Sequence, residues 1–122
     1  MTSLVSAYLK DKNDGAISLF NEFRDAALAA GTEVEEKVSK TMVAWKGKRT
    51  FATAYVKGKY LECTVDLLHA IEHKHLKASF PTTKKVVTNR FTLEPGETVD
   101  EQMTAWLKEG FEDVGPGTGS KS

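Results

Sequence analysis

The sequence predicts an α+β domain in which N- and C-terminal helices pack on one face of an antiparallel sheet of about four to five strands. Three observations lead to this prediction. Apolar residues recur at helical spacing near both ends of the chain, the period between them changes to two, and glycine-centred turns divide the strands. With 122 residues, 40% of them hydrophobic, the chain is long enough for one core and too short for two.

The first helix is predicted within "NDGAISLFNEFRDAALAAG", residues 13–31, where apolar side chains follow a helical period. Asn13 or Asp14 is the expected N-cap, because a short polar side chain can accept from a free N–H of the first turn. Gly31 is the expected C-terminal stop of this helix. Residues 4–9 predict a shorter helix or turn that packs on the same core.

Strands are predicted where alternate side chains take opposite faces of the backbone. The candidate strands are residues 41–45, 49–57, 60–68, 76–80 and 85–93. Two Lys-Gly-Lys triplets, at 46–48 and 57–59, are predicted to be hairpin turns in which glycine supplies a positive φ. The segment 66–76 is compatible with a strand or with a helical turn.

The closing helix is predicted to begin at "TVDE", residues 98–101, where Thr98 and Glu101 have the spacing of a capping box. An apolar stripe follows on one side of this helix. The Gly- and Ser-rich stretch 115–122 then predicts a disordered tail. The sequence therefore predicts a single domain over residues 1–114.

Four short stretches, "VSKTMVAW", "RTFA", "NRFTL" and "AWLKEGF", occur in the order typical of a small bacterial family. The chain resembles the family called domain of unknown function 5655 (DUF5655), and the resemblance runs over residues 4–113. The matching positions are Lys40, Ala44, Trp45, Phe51, Ala52, Arg90, Phe91, Leu93, Trp106, Leu107 and Phe111. The resemblance implies the same fold. It transfers no catalytic residue, because the family has no established active site.

Charge is unevenly distributed along the chain. Residues 37–90 hold twelve Lys and Arg against three Asp and Glu, a net charge of +9, and the remaining residues carry −9 because the whole chain has 17 of each kind. Since this block coincides with the predicted strands, the sheet should be basic and the helices acidic. The candidate contacts to a polyanion are Lys46, Lys48, Arg49, Lys57, Lys59 and Arg90.

The first functional hypothesis is a non-catalytic binding module whose basic sheet and hairpin side engages nucleic acid or another polyanion. A competing interpretation is that these lysines are solvated and only keep strand edges from pairing. The alternative function is a protein-interaction or accessory domain that acts through a homodimer or through docking of a protein partner. A third hypothesis is an enzyme or a small-ligand pocket between sheet and helices, in which Arg90, Lys40 and Tyr55 converge beneath the helices to receive a carboxylate or phosphate.

The sequence assigns no catalytic, cofactor-binding or metal-binding residue. His69, His73 and His75 are close together but lack the His-Glu-x-x-His order of a zinc protease, so a cluster of exposed histidines is expected. Cys63 is the only cysteine, and it shares a predicted strand face with apolar residues, so it is expected to be buried and unreactive. A lone cysteine, with no export signal and no membrane-spanning stretch, predicts a cytoplasmic protein.

Overall fold

The computed structural model describes residues 3–116. In chain order, the elements are α1 (Ser3–Leu9), α2 (Asp14–Leu28), β1 (Glu35–Val38), β2 (Val43–Lys46), β3 (Thr50–Lys57), β4 (Tyr60–Leu67), β5 (Leu76–Pro81), β6 (Val87–Leu93) and α3 (Glu101–Asp113). All strand pairs are antiparallel, in the order β1-β2-β3-β4-β6-β5. The predicted α+β class is confirmed, with six strands instead of four to five. None of the helices within these residues is long and apolar enough to cross a bilayer.

The additional strand is β1, at one edge of the sheet. Its sequence, "EEKV", is mostly charged, so the alternation that predicts a half-buried strand is absent. Pairing with β2 nevertheless places Glu36 beside Trp45 and Val38 beside Val43 on the helix-facing side. Because the strand is stabilised by contacts made across the chain, its local sequence does not predict it.

The two faces of the sheet have different surroundings. On the helix-facing side, β4 buries Leu61, Cys63, Val65 and Leu67, in agreement with the predicted alternation. Cys63 is buried as predicted, and burial raises the pKa of its thiol, which disfavours the reactive thiolate. The opposite side, called the uncovered face here, has no helix packed on it within residues 3–116. The strand pairings place Tyr55, Glu62 and Arg90 there.

Trp45 is fully buried against α2, where its ring packs 6.0 Å from Phe20 and 5.6 Å from Phe23 between centroids. The indole Nε1 donates a 2.8 Å hydrogen bond to Glu36. Arg24 of α2 donates to both oxygens of the same carboxylate, at 2.6 and 3.1 Å. Burial raises the pKa of Glu36, but the bonds from Arg24 and Trp45 outweigh it and leave the pKa below its ordinary value.

Both long helices are capped by polar side chains that accept backbone hydrogen bonds. Asn13 caps α2 by accepting from Ala16 N, as one of the two predicted alternatives requires. The predicted cap of α3 is wrong, because Asp100 caps it by accepting from Met103 N. Thr98 instead donates to Glu22 and ties the preceding loop to α2. The capping-box spacing thus located the helix but not its first residue.

Gly31 does not end α2, which finishes at Leu28 with Ala29 as C-cap. A Cβ at position 31 would overlap the ring of Phe111, so the glycine gives space to an aromatic side chain from α3. That ring packs edge-on against Phe51 at 5.6 Å. Gly31 therefore serves a contact between distant elements.

The helix α3 lies close to β4 at Gly110. A Cβ added there would lie 2.8 Å from the carbonyl oxygen of Asp66 and 3.5 Å from the side chain of Val65. The closest atom belongs to the backbone of a central strand, so it cannot rotate away. The absence of a side chain at Gly110 therefore sets the distance between the helix and the sheet.

We expect Gly110→Ala to destabilise the domain by about 2 kcal/mol, because the added methyl overlaps the backbone of β4. Ordinary helix propensity predicts the opposite sign, a gain of about 1 kcal/mol. Urea denaturation monitored by circular dichroism measures the difference. Ala105→Gly, at an exposed position of the same helix, is the control and should lose about 1 kcal/mol. A Gly110→Ala variant more stable than the parent would contradict the close approach.

Candidate anion-binding surface

The two Lys-Gly-Lys turns lie at opposite ends of the sheet. The first connects β2 to β3 and the second connects β3 to β4, so the whole of β3 separates them. An eight-residue strand is roughly 25 Å long. One phosphate group therefore cannot contact both turns, and each end of the sheet has to be considered separately.

The backbone amides at the first turn, residues 46–48, already donate hydrogen bonds to a carbonyl oxygen of the same chain. The backbone N–H groups of Lys48 and Arg49 donate to the carbonyl oxygen of Gly115, at 2.7 and 2.9 Å. The prediction that Gly47 supplies a positive φ is wrong, since only Gly58 and Gly96 do so among the described glycines. Gly47 is needed because a Cβ would lie 2.8 Å from the same Gly115 oxygen. The amide groups that could cradle a phosphate are occupied.

Arg49 is also engaged within the fold. Its Nη2 lies 3.6 Å from Asp66 of β4, and its Nε is buried without a hydrogen-bond partner among the described residues. Asp66 accepts a 2.8 Å hydrogen bond from Thr88. Burial raises the pKa of Asp66, and the bond from Thr88 and the charge of Arg49 only partly offset this. Arg49 thus balances the charge of a partly buried carboxylate.

Lys48 shares its surroundings with acidic residues. It lines an open groove of about 560 Å³ together with Glu33, Glu35 and Glu112. These three carboxylates oppose an anion at this end. Gly115, the first residue of the predicted tail, is buried here, whereas residues 117–122 lie outside the described residues.

The second turn, residues 57–59, lies beside two other basic loops. The hydroxyl of Tyr8 in α1 accepts from Val56 N at 2.9 Å and donates to the carbonyl of Thr41 at 3.4 Å. One side chain therefore joins α1, the β1–β2 turn and the end of β3. Gly58 has a φ of 62° and open space around it, as predicted for a hairpin turn.

This junction forms the lysine-rich end of the domain, which is defined by Lys10, Lys12, Lys40, Lys57 and Lys59. No lysine among residues 3–116 forms an ion pair with a carboxylate. Lys12 instead places its ammonium 5.0 Å from the centre of the Tyr8 ring. The charges at this end are therefore available to an external anion.

A concave surface of about 370 Å³, called the α1 groove here, opens between α1 and the β1–β2 turn. Lys10, Lys12 and Lys40 line it, and no acidic residue is among its lining residues. Leu4, Ala7 and Val38 supply aliphatic walls. The side chain of Leu4 is 64% exposed, an unusual degree for a leucine.

The uncovered face combines basic and acidic groups. Arg90 pairs with Thr64 across the strands, and it makes no ion pair with another described residue. Glu62, opposite Tyr55, accepts from Thr92 at 3.0 Å. Lys46 also lies on this face, where the strand register places it opposite Glu35 of β1. Nucleic-acid bases could stack on a sheet face that carries only aromatic and basic side chains. On this face, carboxylates lie among those side chains.

The pocket beneath the helices that was predicted from Arg90, Lys40 and Tyr55 does not form. Register places Tyr55 and Arg90 on the uncovered face, on the far side of the sheet from α2 and α3. Lys40 lies in the β1–β2 turn. The structure does not bring the three side chains together.

The histidines lie beside carboxylates near α3. His69 is exposed as expected, whereas the side chains of His73 and His75 are largely buried, which corrects the expectation for these two. His75 N donates to His73 Nδ1 at 3.1 Å, so Nε2 of His73 carries the proton and donates to Asp100 at 2.7 Å. The His73 side chain is only 4% exposed, and its ring packs on Phe91 and Trp106. Within residues 3–116, no group of three or more His, Cys, Asp or Glu could hold a metal ion.

Comparison with models of protein families gives a match over nearly the whole chain. The model of the family described as Domain of unknown function (DUF5655) matches residues 5–114. The chain belongs to the DUF5655 family. Searches of curated proteins and of solved structures found no match.

The sequence analysis of this DUF5655 domain did not identify Lys10 and Lys12 as candidate contacts, and it did not include Lys40 among the six contacts to a polyanion. Lys10 and Lys12 lie in "YLKDK", outside that block and beside Asp11. Their contribution depends on how α1 docks on the sheet through Tyr8. The only local signal was the pair of lysines after an amphipathic segment, which is common on solvated surfaces.

His69 of the DUF5655 domain is expected to titrate above the ordinary pKa of 6.5. Its Nε2 lies 2.6 Å from Glu109 and its Nδ1 3.1 Å from the carbonyl of Ala70, so both nitrogens face acceptors and the protonated ring is favoured. The hydrogen bond to Glu109 is the larger cause. The pair thus stabilises the fold fully below pH ~6.5, and this contribution disappears as pH rises through the raised pKa.

An NMR titration of the His69 ring measures this pKa directly. Glu109→Gln should lower the midpoint, while Glu112→Gln, at an exposed position of the same helix, should leave it nearly unchanged. A midpoint at or below 6.5 in the parent protein would contradict the pairing.

Proposed function

We propose that this DUF5655 domain is a non-catalytic binding module that engages nucleic acid or another polyanion at its lysine-rich end. The observation that carries the proposal is the convergence of five lysines from three loops around Tyr8, none of them paired with a described carboxylate. A concentration of lysines without ion-pair partners attracts phosphate groups and accelerates association with polyanions.

The geometry of the fold favours this end over the other candidate surfaces. At the opposite end, the amides of the 46–48 turn bind Gly115 and Lys48 shares a groove with three glutamates. On the uncovered face, Glu62 and Asp66 lie between the basic side chains. Of the six predicted contacts, Lys57 and Lys59 belong to the proposed surface, whereas Lys46, Lys48, Arg49 and Arg90 lie elsewhere.

The negative charge on and around the helices should determine from which side a polyanion approaches the domain. Outside residues 37–90 the chain carries a net charge of −9, most of it on and around the helices. A polyanion is repelled by that side and attracted to the lysine-rich end. A cytoplasmic location is proposed with this function, because a single buried thiol suits a reducing compartment.

Fluorescence anisotropy with an internally labelled single-stranded oligonucleotide, and with its duplex, tests the proposal. We expect affinity to fall steeply as salt rises, because bound phosphates release counterions. Lys57→Gln combined with Lys59→Gln should reduce the slope of log affinity against log salt by roughly two. The matched control, Lys84→Gln with Lys85→Gln, removes two exposed lysines from the β5–β6 turn at the other end and should change little. Absence of binding at low salt would refute the proposal.

A second candidate function, docking of a protein partner or a second copy, is supported by the β5 edge. β5 pairs with β6 on one side only, so the backbone groups of its outer edge have no strand partner within residues 3–116. Phe80 on this strand is 44% exposed. An exposed edge with an aromatic side chain is a suitable surface for strand addition.

Light scattering after size exclusion measures whether this edge forms a dimer. On the docking proposal we expect the mass of two chains, and Phe80→Asp should restore the mass of one chain. Leu68→Asp is the matched control, since Leu68 is equally exposed but lies outside β5. A monomer at concentrations of roughly 100 µM or more, where even weak dimers are populated, would exclude the homodimer.

A further inference from the structure

We infer that the α1 groove receives a terminal phosphate, the phosphomonoester at one end of a nucleotide chain. The inference rests on the proposed function and adds to it which part of the polyanion is recognised. It follows from the shape of the groove, its charge and the position of Tyr8.

The charge of the groove favours a dianion. Lys10, Lys12 and Lys40 come from two separate loops and line one concavity of about 370 Å³, with no acidic residue among its lining residues. A phosphomonoester carries between one and a half and two negative charges near neutral pH, by the usual ~6 second pKa, whereas an internal phosphodiester carries about one. Lysines act as point charges toward phosphate, so the group with more charge is bound more tightly.

The shape of the groove favours a chain end. A concave site accepts a group that projects from the ligand, and an internal phosphodiester is flanked by nucleotides on both sides. A terminal phosphate has only one flanking nucleotide. The aliphatic walls from Leu4, Ala7 and Val38 can contact its sugar, which explains why an exposed leucine borders a cluster of lysines.

The backbone between the two groove lysines is unusual. Asp11 has a φ of 65°, the only positive φ of a non-glycine residue among those described. Its carboxylate does not line the groove, whereas Lys10 and Lys12 on either side do. This conformation costs about 1 kcal/mol or more. With the backbone in this conformation, Lys10 and Lys12 line the same groove, and the Asp11 carboxylate between them does not.

Tyr8 offers the groove no ring surface on which a base could stack. Its ring is 8% exposed and one face is covered by the ammonium of Lys12. Its hydroxyl is bound to Thr41 and Val56. With no free aromatic surface for stacking a base, the groove should recognise the phosphate with little preference for the terminal base.

One oligonucleotide in three forms tests the inference: with a 5′-phosphate, with a 3′-phosphate, and with hydroxyls at both ends. The internal label and the sequence stay the same, and anisotropy gives the three affinities. We expect one phosphorylated form to bind roughly fivefold or more tightly than the unphosphorylated form, the effect of one additional close charge pair. The preferred form identifies which end enters the groove.

The variant Lys10→Gln with Lys40→Gln should remove this difference. It keeps Lys12 over the Tyr8 ring, and a thermal melt checks that the fold is intact. The matched control Lys84→Gln with Lys85→Gln should retain the difference. Equal affinity of the three forms, or a preference that persists in the Lys10 and Lys40 variant, would overturn the inference and leave the proposed function standing. If none of the forms binds at low salt, both are refuted.

Discussion

The burial of Trp45 is the constraint on which the sheet and its covering helix depend. An indole removed from water needs an acceptor for its N–H, and Glu36 of β1 supplies one. A carboxylate brought into this half-buried position needs in turn a cation and further hydrogen bonds, which Arg24 of α2 provides. One aromatic side chain thereby requires a charged edge strand and a helix to lie next to each other. The ordinary apolar core then fills the space around them.

The antiparallel topology determines which loops can act together. Successive hairpins return the chain to alternate ends of the sheet, so the two chemically identical Lys-Gly-Lys turns have different neighbours. One turn is closed by the carbonyl of Gly115. The other remains open beside α1 and the β1–β2 turn. The two Lys-Gly-Lys turns therefore differ in how accessible they are to a ligand. The difference arises from the segments that pack beside each turn.

Much of the fold was predictable, because local periodicity reports which side of an element is buried. The faces of β4, the burial of Cys63 and Trp45, and the Asn13 cap follow from spacing within a few residues. The incorrect assignments share another property. Gly31 and Gly47 looked like turn glycines, but they accommodate Phe111 and Gly115, which are far away in the chain. Thr98 and the strand β1 likewise depend on partners in other elements.

The sequence by itself determined the α+β class and the alternating faces of the central strands. These properties depend on neighbouring residues and on composition, which the linear order contains directly. Only the tertiary structure decided which lysines meet. Lys10 and Lys12 precede the basic block and join Lys40 because Tyr8 docks α1 on the β1–β2 turn and the end of β3. Whether these lysines lie close together depends on how separate elements pack, and no local sequence pattern encodes that packing.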